Sequence, residues 1–335
     1  MNKHLPSTIN CLLAAALMLL LLSCNSGTTS KKSNPRAGIT TDSAPYELLL
    51  VADKDWLQTS DGSVLMDVVN TEIPGLPAPE SYFKVISINP AGFSKTFQGF
   101  ANIVITDVGT QYTKGELRIA HDLYAHPQTV IYLTAPNGRA LAELALSRQD
   151  QIINIFLEAE LARERNLLGR KHSDVVYNQV KKQFGYTLLA PASIDAVKEG
   201  KDFMWASSDT EDNRLNICLY TVPFDGGEFG AGEFIAIRDS VMKINIEGEK
   251  QGQYMSTNAQ TVLFDVAATK GKTTLVARGL WEMVGDMMGG PFVSYIHFDE
   301  TGRKLIIAEG FVFAPEKKKR AYIHELEAAV QTLEF

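Results

Sequence analysis

The chain has 335 residues, a formal net charge of −7, and 45% hydrophobic and 21% charged residues. That balance belongs to a folded globular protein with one large domain or two ordinary ones, and it excludes a disordered chain. An acidic chain has no electrostatic reason to bind nucleic acid, so no such partner is expected.

The chain opens on a polar start at Lys3 and His4, followed by an apolar run from Leu12 to Leu22. The run falls short of the roughly 20 apolar residues that span a bilayer, so residues 1–23 read as an export signal. Leu21-Leu22-Ser23-Cys24 sets a small residue before a cysteine, the pattern of a bacterial lipobox, with Leu22 bulkier than is usual there. Cys24 is therefore the expected lipidation site, and the lipid on it the expected hold on a membrane. Residues 24–43 are a Ser-, Thr- and Gly-rich tether containing Pro35, with a root-mean-square reach of about 25 Å. Cys218 remains as a free thiol in a strand-like stretch, where a small buried hydrophobe is the simplest reading.

In the body, Tyr46–Val51, Phe83–Ile88, Asn102–Asp107 and Thr129–Leu133 are short apolar runs bounded by Pro, Gly or Asp, and they predict strands. A modest helical pattern covers Val64–Ile73. A long helix is expected from Ala135-Pro136-Asn137 to about Leu168, ending in a solvated Arg163-Glu164-Arg165. A second begins at Ser173, a good N-cap, and stops at Gly185. That stop divides an N-terminal half, 44–186, from a C-terminal half, 187–335. Strands follow at Phe203–Ala206 and Leu215–Val222, then a helix near Glu233–Ile246. Four further strands occupy Thr261–Ala267, Thr273–Arg278, Pro291–Phe298 and Lys304–Phe313, with a hairpin turn at Glu300-Thr301-Gly302-Arg303, before a last helix carrying Tyr322, Leu326 and Val330. The expected class is α+β, with mainly antiparallel sheets and long helices. Strands ending in Ala135-Pro136 and Ala314-Pro315 each open a helix, which suggests two related strands-then-helix halves.

Chemistry-bearing motifs are sparse. Gly271-Lys272-Thr273-Thr274 lacks the first glycine of a phosphate loop and reads as a turn. His121 and His126 do not align on a helix and have no metal-ligand partner motif, so neither a metal nor a cofactor is expected. The glycine- and acid-rich Asp225–Glu233 is a loop that could act as a lid. Lys317-Lys318-Lys319-Arg320 is a solvated helix start, with anionic lipid as its functional alternative. Between Arg278 and Phe292, Trp281, Met283, Asp286, Met287 and Met288 form a glycine-bounded apolar connection suited to a binding surface. Glu309 falls on the same face as Leu305, Ile307, Phe311 and Phe313, so it needs a cation; Arg278 is the expected partner of a buried ion pair.

The segment from Arg278 to Tyr295, Ala308-Glu309-Gly310-Phe311-Val312-Phe313-Ala314-Pro315, Lys319-Arg320, Leu326-Glu327-Ala328 and Asp53-Lys54-Asp55-Trp56 resemble an uncharacterised family of Bacteroidetes lipoproteins, a domain of unknown function. The resemblance implies an envelope lipoprotein with one fold and imports no activity. In that lineage acids directly after the lipidated cysteine often mark surface export, and Asn25-Ser26-Gly27-Thr28 has none, so the expected place is the outer membrane, facing the periplasm. The first functional reading is a non-enzymatic, lipid-anchored envelope protein with a binding or assembly role toward another envelope protein, contacted through Trp281–Met288. The alternative is a periplasmic hydrolase or small-ligand-binding protein, with Glu309, Asp286 and the Asp225–Glu233 loop around a cleft.

Overall fold

The computed structural model describes residues 39–208, 213–269 and 272–335. The signal at 1–23, Cys24, most of the tether and Gly271 of the Gly271–Thr274 turn lie outside the described residues. The described residues form one compact unit.

The fold is α+β. The first sheet contains β1 (Glu47–Val51), β2 (Lys84–Ile88), β3 (Asn102–Val108), β4 (Glu116–His121) and β5 (Thr129–Ala135) in the order β2-β1-β3-β5-β4. β1 runs parallel to β2 and β3, and β3 parallel to β5; only β4 is antiparallel. Near-continuous apolar runs such as Leu48-Leu49-Leu50-Val51 suit strands buried on both faces. The second sheet joins β6 (Ile194–Gly200), β7 (Phe203–Ser208), β8 (Arg214–Pro223), β9 (Tyr254–Thr269), β10 (Lys272–Val284), β11 (Gly289–Phe298) and β12 (Lys304–Phe313) in the order β6-β7-β8-β12-β11-β10-β9, antiparallel throughout. Antiparallel pairing therefore dominates the chain as a whole. The expectation of two related halves is corrected, because a mostly parallel sheet and an antiparallel one share no topology.

Helices α1 (Lys54–Leu57) and α2 (Ser60–Val69) link β1 to β2, capped by Asp53 and Thr59. After β5 the expected single helix is two, α3 (Gly138–Ser147) and α4 (Gln149–Arg170), broken at Arg148. α5 (Asp174–Phe184) starts on the Ser173 cap and stops at Gly185, whose φ of 78° is one that glycine adopts without strain. α6 (Ala231–Asn245) lies between β8 and β9, and α7 (Arg320–Val330) follows β12.

These elements stack in layers. The main core joins one face of each sheet through helices between them, with Leu48 and Leu50 of β1, Phe156 of α4, Leu326 of α7 and Ile217 of β8 in one apolar cluster. The outer face of the second sheet is sealed by α6 through Phe234 and Met242. Among the described residues no α-helix covers the outer face of the first sheet. Its Leu49, Val51, Ile103 and Val130 are covered by Phe93, Phe97 and Phe100 from the β2–β3 connection. Among the described residues no helix is long and apolar enough to cross a membrane.

Candidate functional site

A parallel sheet is ordinarily covered on both faces. Here the β2–β3 connection leaves the carboxyl end of β2 through a turn at Pro90–Gly92 and crosses to the amino ends of the strands, where Phe97–Gly99 packs and Gln128 donates to the carbonyls of Gln98 and Phe100. Toward the carboxyl ends the face is left open. A crevice of about 640 Å³ forms there, over Ile105, Asp107, Tyr132 and Thr134 and bounded by Asp53, Trp56, Pro90, Tyr112 and Arg118. β1 connects outward to β2 on one side and β3 leads to β5 on the other. The crevice thus lies at the point where the strand order reverses, outside the carboxyl ends, the place where open parallel sheets bind ligands.

Its polar groups are held in place and only partly satisfied. Asp53 caps α1 through Oδ1, which accepts from the Trp56 amide at 2.8 Å. The rim is tied by Asn89, whose Oδ1 accepts from the Lys54 amide at 2.8 Å. Asp107 Oδ2 accepts from the Tyr112 hydroxyl at 2.5 Å, a bond that holds the Tyr112 phenol above its ordinary pKa. Each carboxylate keeps its other oxygen without a partner among the described residues. Arg118 projects from the edge strand β4 with its guanidinium 5.4 Å from the centre of the Tyr132 ring, and among the described residues no carboxylate lies within salt-bridge distance. Burial, then the hydrogen bond with Tyr124 at 3.3 Å, push the Tyr132 phenol up, so it stays neutral as part of the floor. Gly138 at the start of α3 lets the Trp56 ring approach closely: a Cβ would stand 2.3 Å from Trp56 Nε1, so the ring would have to shift.

The residues singled out in the sequence lie elsewhere. Trp281 and Met283 belong to β10 and are buried at 2% and 6% exposure, so they are not a contact surface. Glycine misled the reading. Gly290 allows Trp281 Nε1 to reach the carbonyl of Val312 at 3.1 Å, since a Cβ there would stand 2.0 Å from that oxygen. Only Gly285–Met288 forms a turn, closed by Met283 N donating to Met288 O; Asp286 and Met287 are exposed and Met288 half-buried.

Glu309 is fully buried and paired, but with Arg238 of α6, not Arg278. Cross-strand partners Ala277, Ser294, Glu309 and Cys218 share the face under α6; Arg278 is one residue out of phase and points to the opposite face. There it pairs with Glu327, which also accepts from Tyr295 Oη at 2.9 Å. Burial would raise Glu327, yet Arg278 and His324 hold it down at about 2. Arg238 Nε and Nη2 donate to Glu309 at 2.9 and 2.8 Å, Nη1 to Thr257 Oγ1 at 2.7 Å, and Ser294 Oγ donates to Glu309 Oε2 at 2.8 Å. Burial pulls Arg238 down, but the Glu309 charge more than offsets this and leaves the guanidinium above its ordinary pKa. Burial and the Glu309 charge push the Cys218 thiol well up, which keeps it inert. Glu309, Asp286 and the Asp225–Glu233 loop therefore form no common cleft.

His126 pairs with Asp122 at 2.9 Å, and among the described residues no group of three or more His, Cys, Asp or Glu could hold a metal. Arg163, expected in solvent, is mostly buried and pairs with Glu160 at 2.9 Å. The basic run ends against the N-terminal half, where Glu80 accepts from the amides of Lys319 and Arg320 at 2.6 and 3.1 Å. The sequence reading missed the crevice altogether. Its available signal was the repeated exit of an apolar run into an acid, at Val51-Ala52-Asp53 and Ile105-Thr106-Asp107.

Fold and site define an α+β protein with a polar crevice on a parallel sheet. Residues 42–168, which hold the crevice, match the model of one domain of unknown function (DUF8532); residues 173–332, which hold the buried Arg238–Glu309 pair, match another (DUF4837). No curated protein matches. A crystal structure from Bacteroides thetaiotaomicron is similar at 11% identity with a TM-score of 0.25, and the match covers 44% of this chain and 44% of that one.

Proposed function

We propose that this chain is a lipid-anchored bacterial envelope protein of the Bacteroidetes type, held through Cys24 in the outer membrane on its periplasmic side, which binds a small polar ligand in the crevice at the carboxyl ends of β1, β3 and β5. The observation that carries the binding reading is the uncovered end of the parallel sheet. It exposes one guanidinium and two fixed carboxylates that have no full complement of partners. Cavities of this size with a few convergent polar groups are the usual form of small-molecule sites. The anchoring reading is supported by the Leu21–Cys24 pattern and the short apolar run before it. An assembly role through Trp281–Met288 is not retained, because Trp281 and Met283 are core residues.

The test has two arms. Labelling of expressing cells with an alkyne-tagged fatty acid should mark the protein, and Cys24→Ala should abolish the mark; labelling that survives the substitution refutes the anchor. Thermal-shift screening of a metabolite library should yield ligands whose stabilisation disappears in Arg118→Ala. Ligands that stabilise both proteins equally refute the crevice as the site.

A further inference from the structure

We propose that the ligand of the crevice is a neutral saccharide of two or three rings. The inference rests on the crevice being the binding site and names what it takes.

Three observations select the class. The first is size: about 640 Å³ is far more than an inorganic anion or a free amino acid fills, and it falls in the range of sites that enclose larger small molecules. The second is the mixture of charge. Asp53 and Asp107 would repel an anionic ligand, and Arg118 would repel a cationic one. A hydroxyl both donates and accepts, so a neutral polyol satisfies the open carboxylate oxygens and the guanidinium together. Hydrogen bonds to charged groups are also the stronger ones, so neutrality of the ligand costs little affinity. The third is shape: Trp56 and Tyr112 give the crevice flat aromatic surface beside the Arg118–Tyr132 stack, which packs against the C–H face of a sugar ring and leaves its hydroxyls to the rim.

The polar groups are oriented in advance. The Trp56 amide fixes Asp53, the Tyr112 hydroxyl fixes Asp107, and the Tyr132 ring supports Arg118. Side chains already held in position lose little freedom on binding.

The experiment is isothermal titration of the full-length chain, in lauryldimethylamine oxide micelles to avoid sugar-based detergents. The probes are maltose, cellobiose, lactose and diacetylchitobiose, with adenosine monophosphate and dialanine alongside. At least one disaccharide should bind, with affinity about tenfold weaker or worse in Asp107→Asn and in Arg118→Ala, and unchanged in Met287→Ala on the distant hairpin turn. Binding of the nucleotide or the dipeptide in place of the sugars, weakened by the same two variants, overturns the saccharide class and leaves the crevice as the site. Disaccharide binding that ignores both variants overturns the crevice itself. No disaccharide binding at millimolar concentration overturns the saccharide proposal.

Discussion

Each half of the protein lays an arginine against an aromatic ring, and the two arrangements differ in what covers them. Arg238 sits 4.2 Å from the Phe292 ring centre beneath α6, fully buried, with Glu309, Thr257 and Met255 taking its donors. Arg118 sits 5.4 Å from the Tyr132 ring centre on an edge strand, with no α-helix above it and no carboxylate in contact among the described residues. The side-chain chemistry is nearly the same. A covering helix removes water and forces the charges to satisfy one another; without it, a guanidinium and two carboxylates remain available to something from outside. The connection that covers each sheet thus separates a structural arginine from the one proposed to bind.

The sharpest way to break this comparison is at the sealed end. Glu309→Leu should destabilise the protein by about 3–5 kcal/mol, because it strands the buried Arg238 charge; chemical denaturation at neutral pH measures this. The double change with Arg238→Met should recover much of the loss, and a double variant no better than the single one would show that the pair is not the unit. A smaller effect is expected at the rim of the crevice. Gly138→Ala places a Cβ 2.3 Å from Trp56 Nε1 and should cost about 1–3 kcal/mol by overpacking, read as a lower thermal midpoint.

Between the halves, pH should act in two windows. Glu327 is lowered from 4.5 to about 2, so its contribution is complete above about 4.5 and is lost as pH falls toward 2. Glu325, partly buried near Glu164, is raised from 4.5 to about 7. The folded state there keeps a proton that the unfolded chain has released, so stability declines as pH climbs from about 4.5 to 7. Glu325→Gln should flatten that decline in denaturation curves and leave the acid limb unchanged. The smallest stability effect belongs to the open arginine: Arg118→Ala should stay within about 0.5 kcal/mol of the parent. A large loss there would make Arg118 structural, and the contrast with Arg238 would fail.

Much of this architecture was legible in the sequence where local signals are strong. Ser173 and Gly185 bound their helix as expected, and alternation placed Glu309 on an apolar face in need of a cation. The identity of that cation was not legible, because strand register, one residue out of phase, turns Arg278 to the other face, and Arg238 arrives from a helix distant in sequence. The Trp281–Met288 segment failed for a related reason. Its glycines signal a loop when read locally, yet Gly290 serves close strand packing that only the folded sheet reveals. The crevice arises from parallel pairing and from a missing covering helix, and neither is a property of any single segment.

Parallel strands also give the first sheet a direction. The chain enters the body beside the amino ends, where Thr40 bridges to His126, the Asp42 amide donates to Gly99 O, and Ser43 Oγ accepts from the Ala101 amide. The crevice opens at the carboxyl ends, one strand length of about 20 Å away. Entry of the chain and mouth of the crevice thus occupy opposite ends of one sheet, so a ligand can come and go without displacing residues 40–43.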